Sequence, residues 1–189
     1  MTERRGRGSV RRLLVVAATE WELALLRGVE TFCCGIGPVE AALQTARRLA
    51  ERRPEAVLHV GIAGARRLEP PALVIGSEAV YCDVLDAASR LPRIERAYPD
   101  RALLERVREA LPEAHVLPIG TTGRLGGGGE LEVEAMEGFG VLRACEIAGI
   151  PALELRAISN AVGEPDRAKW RFNDAFGALA DALQRLDVR

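Results

Sequence analysis

Three polar side chains stand close behind apolar runs of this chain, and their types are those of acid–base and hydrogen-bonding chemistry. Glu22, with Glu20 beside it, follows "LLVVAAT"; Glu137 follows "EVEAM"; Asn160 closes "ALELRAISN" before the turn signals of "AVGEP". A carboxylate can take a proton or oppose a developing cation. An amide does neither and can only donate and accept hydrogen bonds. In a parallel sheet the carboxyl ends of the strands share one edge, where open α/β sheets place their ligands. These groups, far apart in sequence, are therefore expected to converge on one pocket. Each also has a plainer use: Glu22 and Glu137 as first-turn carboxylates favoured by the helix dipole, Asn160 as a turn former or cap.

Other chemistries find less support. "CGIGPVEAA" supplies G-x-G but has Glu40 where a dinucleotide fingerprint needs its third glycine, and no G-x-x-x-x-G-K-[ST] occurs. "GIAGA" is a tight bend or a place where backbone N–H groups approach a small polar ligand. Cys33, Cys34, Cys82 and Cys145 show no C-x-x-C spacing and read as small core residues of a reducing cytoplasm. His59 and His115 sit in strand-like runs with no sequence partner, so neither a metal nor a cofactor is expected.

The elements that must position these groups follow from periodicity. "RRLLVVAAT" reads as a buried strand and "EWELALLRG" as a helix closing on Gly28. "TFCCGIG" is a short strand, "PVEAALQTARRLAERRP" an amphipathic helix with Pro38 in its first turn, and "EAVLHVGIAGA" a buried strand breaking on Gly61 and Gly64. "PALVIGSEAVYCDV" suggests two strands, "PDRALLERVREAL" a helix, and "AHVLPIGTTG" a strand. The glycines at 126–129 suit a mobile or shortened loop, with a helix from about Glu137 to Ala148, the strand "ALELRAISN", and a closing helix over "PDRAKWRFNDAFGALADALQRL". The strand–helix alternation implies a mostly parallel sheet covered by helices.

At 189 residues, 48% hydrophobic and with a formal charge of -1, one α/β domain over 13–189 is expected after a basic, disordered tail at 1–12. Arg and Glu are interspersed rather than segregated, which argues against a nucleic-acid binder. No apolar run approaches a membrane span, and the basic leader lacks a signal peptide's apolar stretch.

The segments "VVAATEWELALL", "CGIGPVEAALQTA", "HVGIAGA", "VIGSEAVYCDV", "VEAMEG" and "RAISNAVG" resemble, in order and approximate spacing, the nucleoside phosphorylase and nucleosidase superfamily. Within it the chain resembles the methylthioadenosine/S-adenosylhomocysteine nucleosidases and, through "ISNAVGEPDRAKWRF", more closely the futalosine hydrolases of the alternative menaquinone pathway. The resemblance runs from Arg12 onward. It implies a three-layer α/β sandwich with a central, mostly parallel sheet that is mixed and partly barrel-like. It also implies a homo-oligomer acting on a small purine nucleoside.

On that resemblance, Glu22 matches the base that activates water, and Arg156 an arginine near the water. Met136 and Glu137 match the pair lying against the ribose, with the carboxylate accepting the 2′-hydroxyl, while Ala63 and Gly64 match a turn lining the pocket. Thr121 and Thr122 occupy the turn where a base-stacking aromatic is expected, so polar contacts to the substrate are expected to replace stacking there, with Thr121 as the substrate-binding residue. Asn160 stands where adenine-specific nucleosidases carry aspartate. An amide donating to N7 and to a 6-oxo group selects hypoxanthine over adenine, and hydrolysis of futalosine follows as the expected reaction. Ile62 replaces a serine beside the water. Arg66 and Arg67 keep phosphorolysis open, Arg167 and Arg171 are candidates for a 5′ carboxylate, and Trp170 is core or pocket wall. A nucleosidase or phosphorylase for inosine, methylthioinosine or methylthioadenosine, or a silent ligand-binding member of the fold, are the alternatives.

Overall fold

The computed structural model describes residues 13–83 and 93–186. The expected tail at 1–12 lies outside the described residues. The chain runs β1 (Leu13–Ala17), α1 (Glu20–Leu23), β2 (Glu30–Cys33), α2 (Pro38–Glu51), β3 (Ala56–Ala65), β4 (Leu73–Tyr81), β5 (Arg96–Ala97), α3 (Arg101–Ala110), β6 (His115–Thr121), β7 (Val133–Ala135), α4 (Gly138–Ala148), β8 (Ala152–Ala161), a 3-10 turn (Arg167–Lys169) and α5 (Phe172–Arg185).

Strand alternation divides the core into layers. Leu13, Val15 and Ala17 of β1 pack with Leu153 and Leu155 of β8 beneath α3 and α5, through Val107, Leu179 and Leu183. Leu14 and Val16 turn the other way, onto Ala41 and Leu49 of α2 and Val141, Leu142 and Cys145 of α4. Helices therefore cover both faces of β1. A third cluster, including Ala63, Val74, Ile119, Val133 and Ile158, fills the space between β3, β4, β6, β7 and β8.

The sheet is mixed, and part of it closes on itself. β3 pairs in parallel with β1 and β8 and antiparallel with β7. β8 in turn pairs antiparallel with β4, which runs parallel to β6, and β6 runs parallel to β7. The ring β3–β8–β4–β6–β7 is thus the barrel-like part, with β1 and β2 extending from its side. A register shift between Ala63 and Gly64 bends β3 where it leaves β1 and takes β7 as its neighbour.

Four expectations are corrected. "PALVIGSEAVYCDV" forms one strand, β4, whose interruption is a register shift between Gly76 and Glu78 rather than a turn. α1 stops at Leu23: Leu23 is buried but Leu25 is 54% exposed and does not continue a helical face onto the core, and a helix this short is costly. α5 begins at Phe172 because Asp166 caps a separate turn and the Arg171 N–H donates to Ser159 O, holding the chain along β8. β3 does not break on its glycines but continues to Ala65, so Ala63 and Gly64 lie in a strand.

Candidate active site

Glu22 enters the site through a capping box. Thr19 donates to its Oε2 from the backbone N (3.0 Å) and from Oγ1 (2.9 Å), while Oε1 accepts the Ile62 N–H at 3.1 Å. The carboxylate at the end of β1 is thereby drawn over β3, while Glu20 and Trp21 face solvent.

Glu137 arrives from the opposite direction. The antiparallel register Ala65↔Val133, Gly64↔Glu134 carries β7 back along β3, toward Gly61, before α4 begins. Its Oε1 accepts the N–H of Gly37, the N-cap of α2, at 3.1 Å, and its Oε2 lies 3.6 Å from Arg156 Nη2. β8 supplies that arginine: Arg156 is level with Gly61 and almost fully buried. A Cβ on Gly61 would overlap Arg156 Nη1 and stand 2.7 Å from Glu22 Oε1, so glycine lets Arg156 and Glu22 meet there.

Asn160 lies further along the same two strands, level with Gly64. Three residues of extended chain separate it from the Gly61 level, roughly 10 Å. Its Oδ1 accepts Ser159 Oγ at 2.7 Å and its Nδ2 donates to Ala161 O at 2.8 Å, which orients the carboxamide. One N–H and one oxygen lone pair remain for a ligand. Gly64 again makes room: its Cβ would stand 3.1 Å from Nδ2. Ala63 is buried and its carbonyl accepts Ser159 Oγ at 3.4 Å.

The remaining expected residues fall around this frame. Met136 is half-buried next to Glu137. Thr121 is fully buried at the end of β6 and accepts the Phe139 N–H at 2.8 Å, so its hydroxyl anchors the first turn of α4. Thr122 bonds Asp83 at 2.9 Å. Tyr81 and Phe139 stack at 5.2 Å. Arg66 is held by Leu131 O and Gly129 O, and Arg67 by Glu132. Arg171 pairs with Asp174 and Pro70 O, and Arg167 lies 5.7 Å over the half-buried Trp170 ring.

Sequence reasoning missed His59, Glu154 and Glu134. Glu154 is wholly buried and accepts Arg156 Nε at 2.8 Å; His59, also wholly buried, has both ring nitrogens within 3.3 Å of Arg156 Nη2. Two opposite charges at i, i+2 inside the apolar run "ALELRAIS" share one strand face, and that signal was available. Glu134 accepts the N–H groups of Gly126 (2.7 Å) and Gly128 (3.0 Å), tying down the glycine loop.

Burial sets the electrostatics. It raises the Glu137 carboxyl above its ordinary range against the opposing pull of Arg156, and it pushes the Cys34 thiol up to about 12. His59 is driven well below 6.5, first by burial and then by Arg156, and is a neutral imidazole. Burial also works against the charge on Arg156, but Glu154, Glu137 and Glu22 outweigh it and keep the guanidinium ionised. Among the described residues no group of three or more His, Cys, Asp or Glu could hold a metal ion, and no helix is long and apolar enough to cross a membrane.

A mixed, partly closed sheet flanked by helices, with carboxylates and an arginine gathered at one level of β3 and a carboxamide at the next, defines an α/β scaffold for a small polar ligand. The chain belongs to the phosphorylase superfamily, whose sequence profile matches residues 26–189. It is 34% identical to a futalosine hydrolase of Streptomyces coelicolor, over 84% of this chain and 78% of that one. The fold matches a futalosine hydrolase mutant of Helicobacter pylori with a TM-score of 0.83 at 18% identity, covering 94% of this chain and 99% of that one. It also matches the 5'-methylthioadenosine/S-adenosylhomocysteine nucleosidase of Neisseria meningitidis in complex with methylthio-immucillin-A, with a TM-score of 0.81 at 22% identity over 94% and 98% of the two chains.

Proposed function

We propose that this protein hydrolyses the N-glycosidic bond of futalosine, releasing hypoxanthine and dehypoxanthine futalosine for the alternative menaquinone pathway. The observation that carries this reading is the spacing of Glu22, Arg156 and Glu137 at the Gly61 level from Asn160 at the Gly64 level. Such a span accommodates a ribose at one end and a purine at the other.

In this reading Glu22, oriented by Thr19 and Ile62, takes a proton from the water that attacks C1′. Arg156 lies beside that water, Glu137 accepts the ribose 2′-hydroxyl, and both carboxylates favour oxocarbenium character. Met136 lies against the sugar, and Ala63 and Gly64 line the pocket. The carboxamide of Asn160 donates to the departing 6-oxopurine, dispersing its charge without surrendering a proton. Thr121 acts from behind, by seating α4. Water rather than phosphate is the nucleophile, a choice supported by Arg66 and Arg67 being engaged by the 129–132 segment.

The enzyme works as a homo-oligomer, which Ile36, Val39 and Leu43 support: Val39 and Leu43 share a face of α2, with Ile36 just before it, and all are more than 60% exposed. A reducing, cytoplasmic setting fits the free state of Cys33, Cys34, Cys82 and Cys145. The test is incubation of the purified protein with futalosine, inosine and methylthioadenosine, with and without phosphate, followed by quantification of free base. Phosphate-independent release of hypoxanthine from futalosine is expected. Release from methylthioadenosine alone, or release that requires phosphate, overturns the assignment.

A further inference from the structure

Glu154 is out of place in an apolar strand unless it serves something. Its neighbours Leu153 and Leu155 belong to the core, while Glu154 turns to the face under α4 that also carries Arg156. Two glycines admit it. A Cβ on Gly138, the first residue of α4, would overlap both carboxylate oxygens, and one on Gly76 would lie 3.3 Å from the Glu154 Cβ. Oε1 is bonded to Arg156 Nε, whereas Oε2 has no hydrogen-bond partner among the described residues. A buried ion pair is often no more stable than apolar residues of the same volume, so stability alone does not account for it.

We propose that Glu154 is a positioning residue that sets both the direction and the effective charge of Arg156. Bound at Nε, the guanidinium is turned so that its Nη atoms face Glu22 and Glu137, and its positive charge is partly cancelled from behind. This rests on the reading of Glu22 and Glu137 as the hydrolytic carboxylates. The groups facing Arg156 are Glu22 from α1, Glu137 from the start of α4, Glu154 from β8 itself, the neutral His59 of β3, and the protonated Cys34 after β2. With Glu154 ionised, three carboxylates surround one cation, and the site keeps the negative character that an oxocarbenium ion needs. Without its charge, Arg156 acts undiminished on Glu137, which then holds its proton less tightly, and the site opposes the sugar cation less.

The test compares Glu154→Gln, which keeps an acceptor for Nε but loses the charge, with Glu154→Asp, which keeps the charge. In Glu154→Gln the acid limb of the kcat–pH profile moves down by about half to one pH unit. Its kcat falls roughly tenfold, with KM within about twofold. Glu154→Asp retains the wild-type acid limb. Titrating the glutamate carboxyl carbons by 13C NMR, with Glu137 assigned through Glu137→Gln, needs no substrate and gives the same downward displacement in Glu154→Gln. An inactive wild type therefore sinks the hydrolytic reading while leaving the electrostatic result measurable. An unmoved Glu137 titration and acid limb in Glu154→Gln overturns the proposal, as does failure of Glu154→Gln to fold when Glu154→Asp folds.

Discussion

Arg156 and Gly61, level with one another on β8 and β3, form a fitted pair: Arg156 Nη1 occupies the space in which a side chain on Gly61 would begin. Gly61→Ala is therefore expected to displace the guanidinium and the adjoining Glu22 carboxylate together. Overpacking of this kind costs about 1–3 kcal/mol. Thermal unfolding should show Tm lowered by roughly 3–10 °C, and futalosine turnover should fall at least about 100-fold, beyond what the lost stability explains. A Gly61→Ala protein with wild-type kcat would contradict the placement of Arg156.

Glu22→Gln tests the base. Gln keeps an acceptor oxygen for Thr19 but turns its NH2 toward the Ile62 N–H, and it cannot take the proton from water. Single-turnover kinetics should show a loss of about 10²–10⁴, with the affinity for substrate, read by calorimetry, little changed. Retained turnover would remove Glu22 from the reaction.

Asn160→Asp tests base selection. Nδ2 donates to Ala161 O at 2.8 Å, so an ionised carboxylate there would face a carbonyl oxygen and the protonated acid is favoured. A protonated acid can give its proton to N7 of adenine. Base release from methylthioadenosine relative to futalosine should rise at least about tenfold, a differential of roughly 1.4 kcal/mol. An unchanged ratio would show that the carboxamide does not discriminate between 6-amino and 6-oxo purines.

His59 predicts a pH dependence of stability. Its folded pKa lies well below the unfolded value of 6.5, so the unfolded chain binds the proton more readily. The contribution is fully present above pH 6.5 and is lost as the pH falls toward the depressed folded value. Glu137 and Glu154 have raised folded values and contribute with the opposite sign. Urea titrations of wild type and His59→Gln from pH 7.5 to 4.5 separate the two, since the carboxylates are common to both proteins. The wild type should lose more stability than the variant below 6.5; parallel curves would refute a neutral buried imidazole.

What the sequence by itself determined was the local content: α2, α3 and β8 appear close to their expected bounds because each is written in a short, strong periodicity. It also carried the order of the motifs and offered Glu22, Glu137 and Asn160 as candidates. Only the tertiary structure decided how those groups meet. The length of α1, the single strand β4 and the late start of α5 depend on packing and on tethers such as Arg171 N–H to Ser159 O. The backward run of β7, which returns Glu137 toward Gly61, depends on ring closure with β3. The network of His59, Glu154 and Arg156 joins residues as much as 97 positions apart, and Gly61, Gly76 and Gly138 matter only because those side chains fill their missing Cβ positions. Periodicity is a property of neighbours along the chain, whereas burial of charge and the vacancy of a glycine are properties of whatever folding brings beside them.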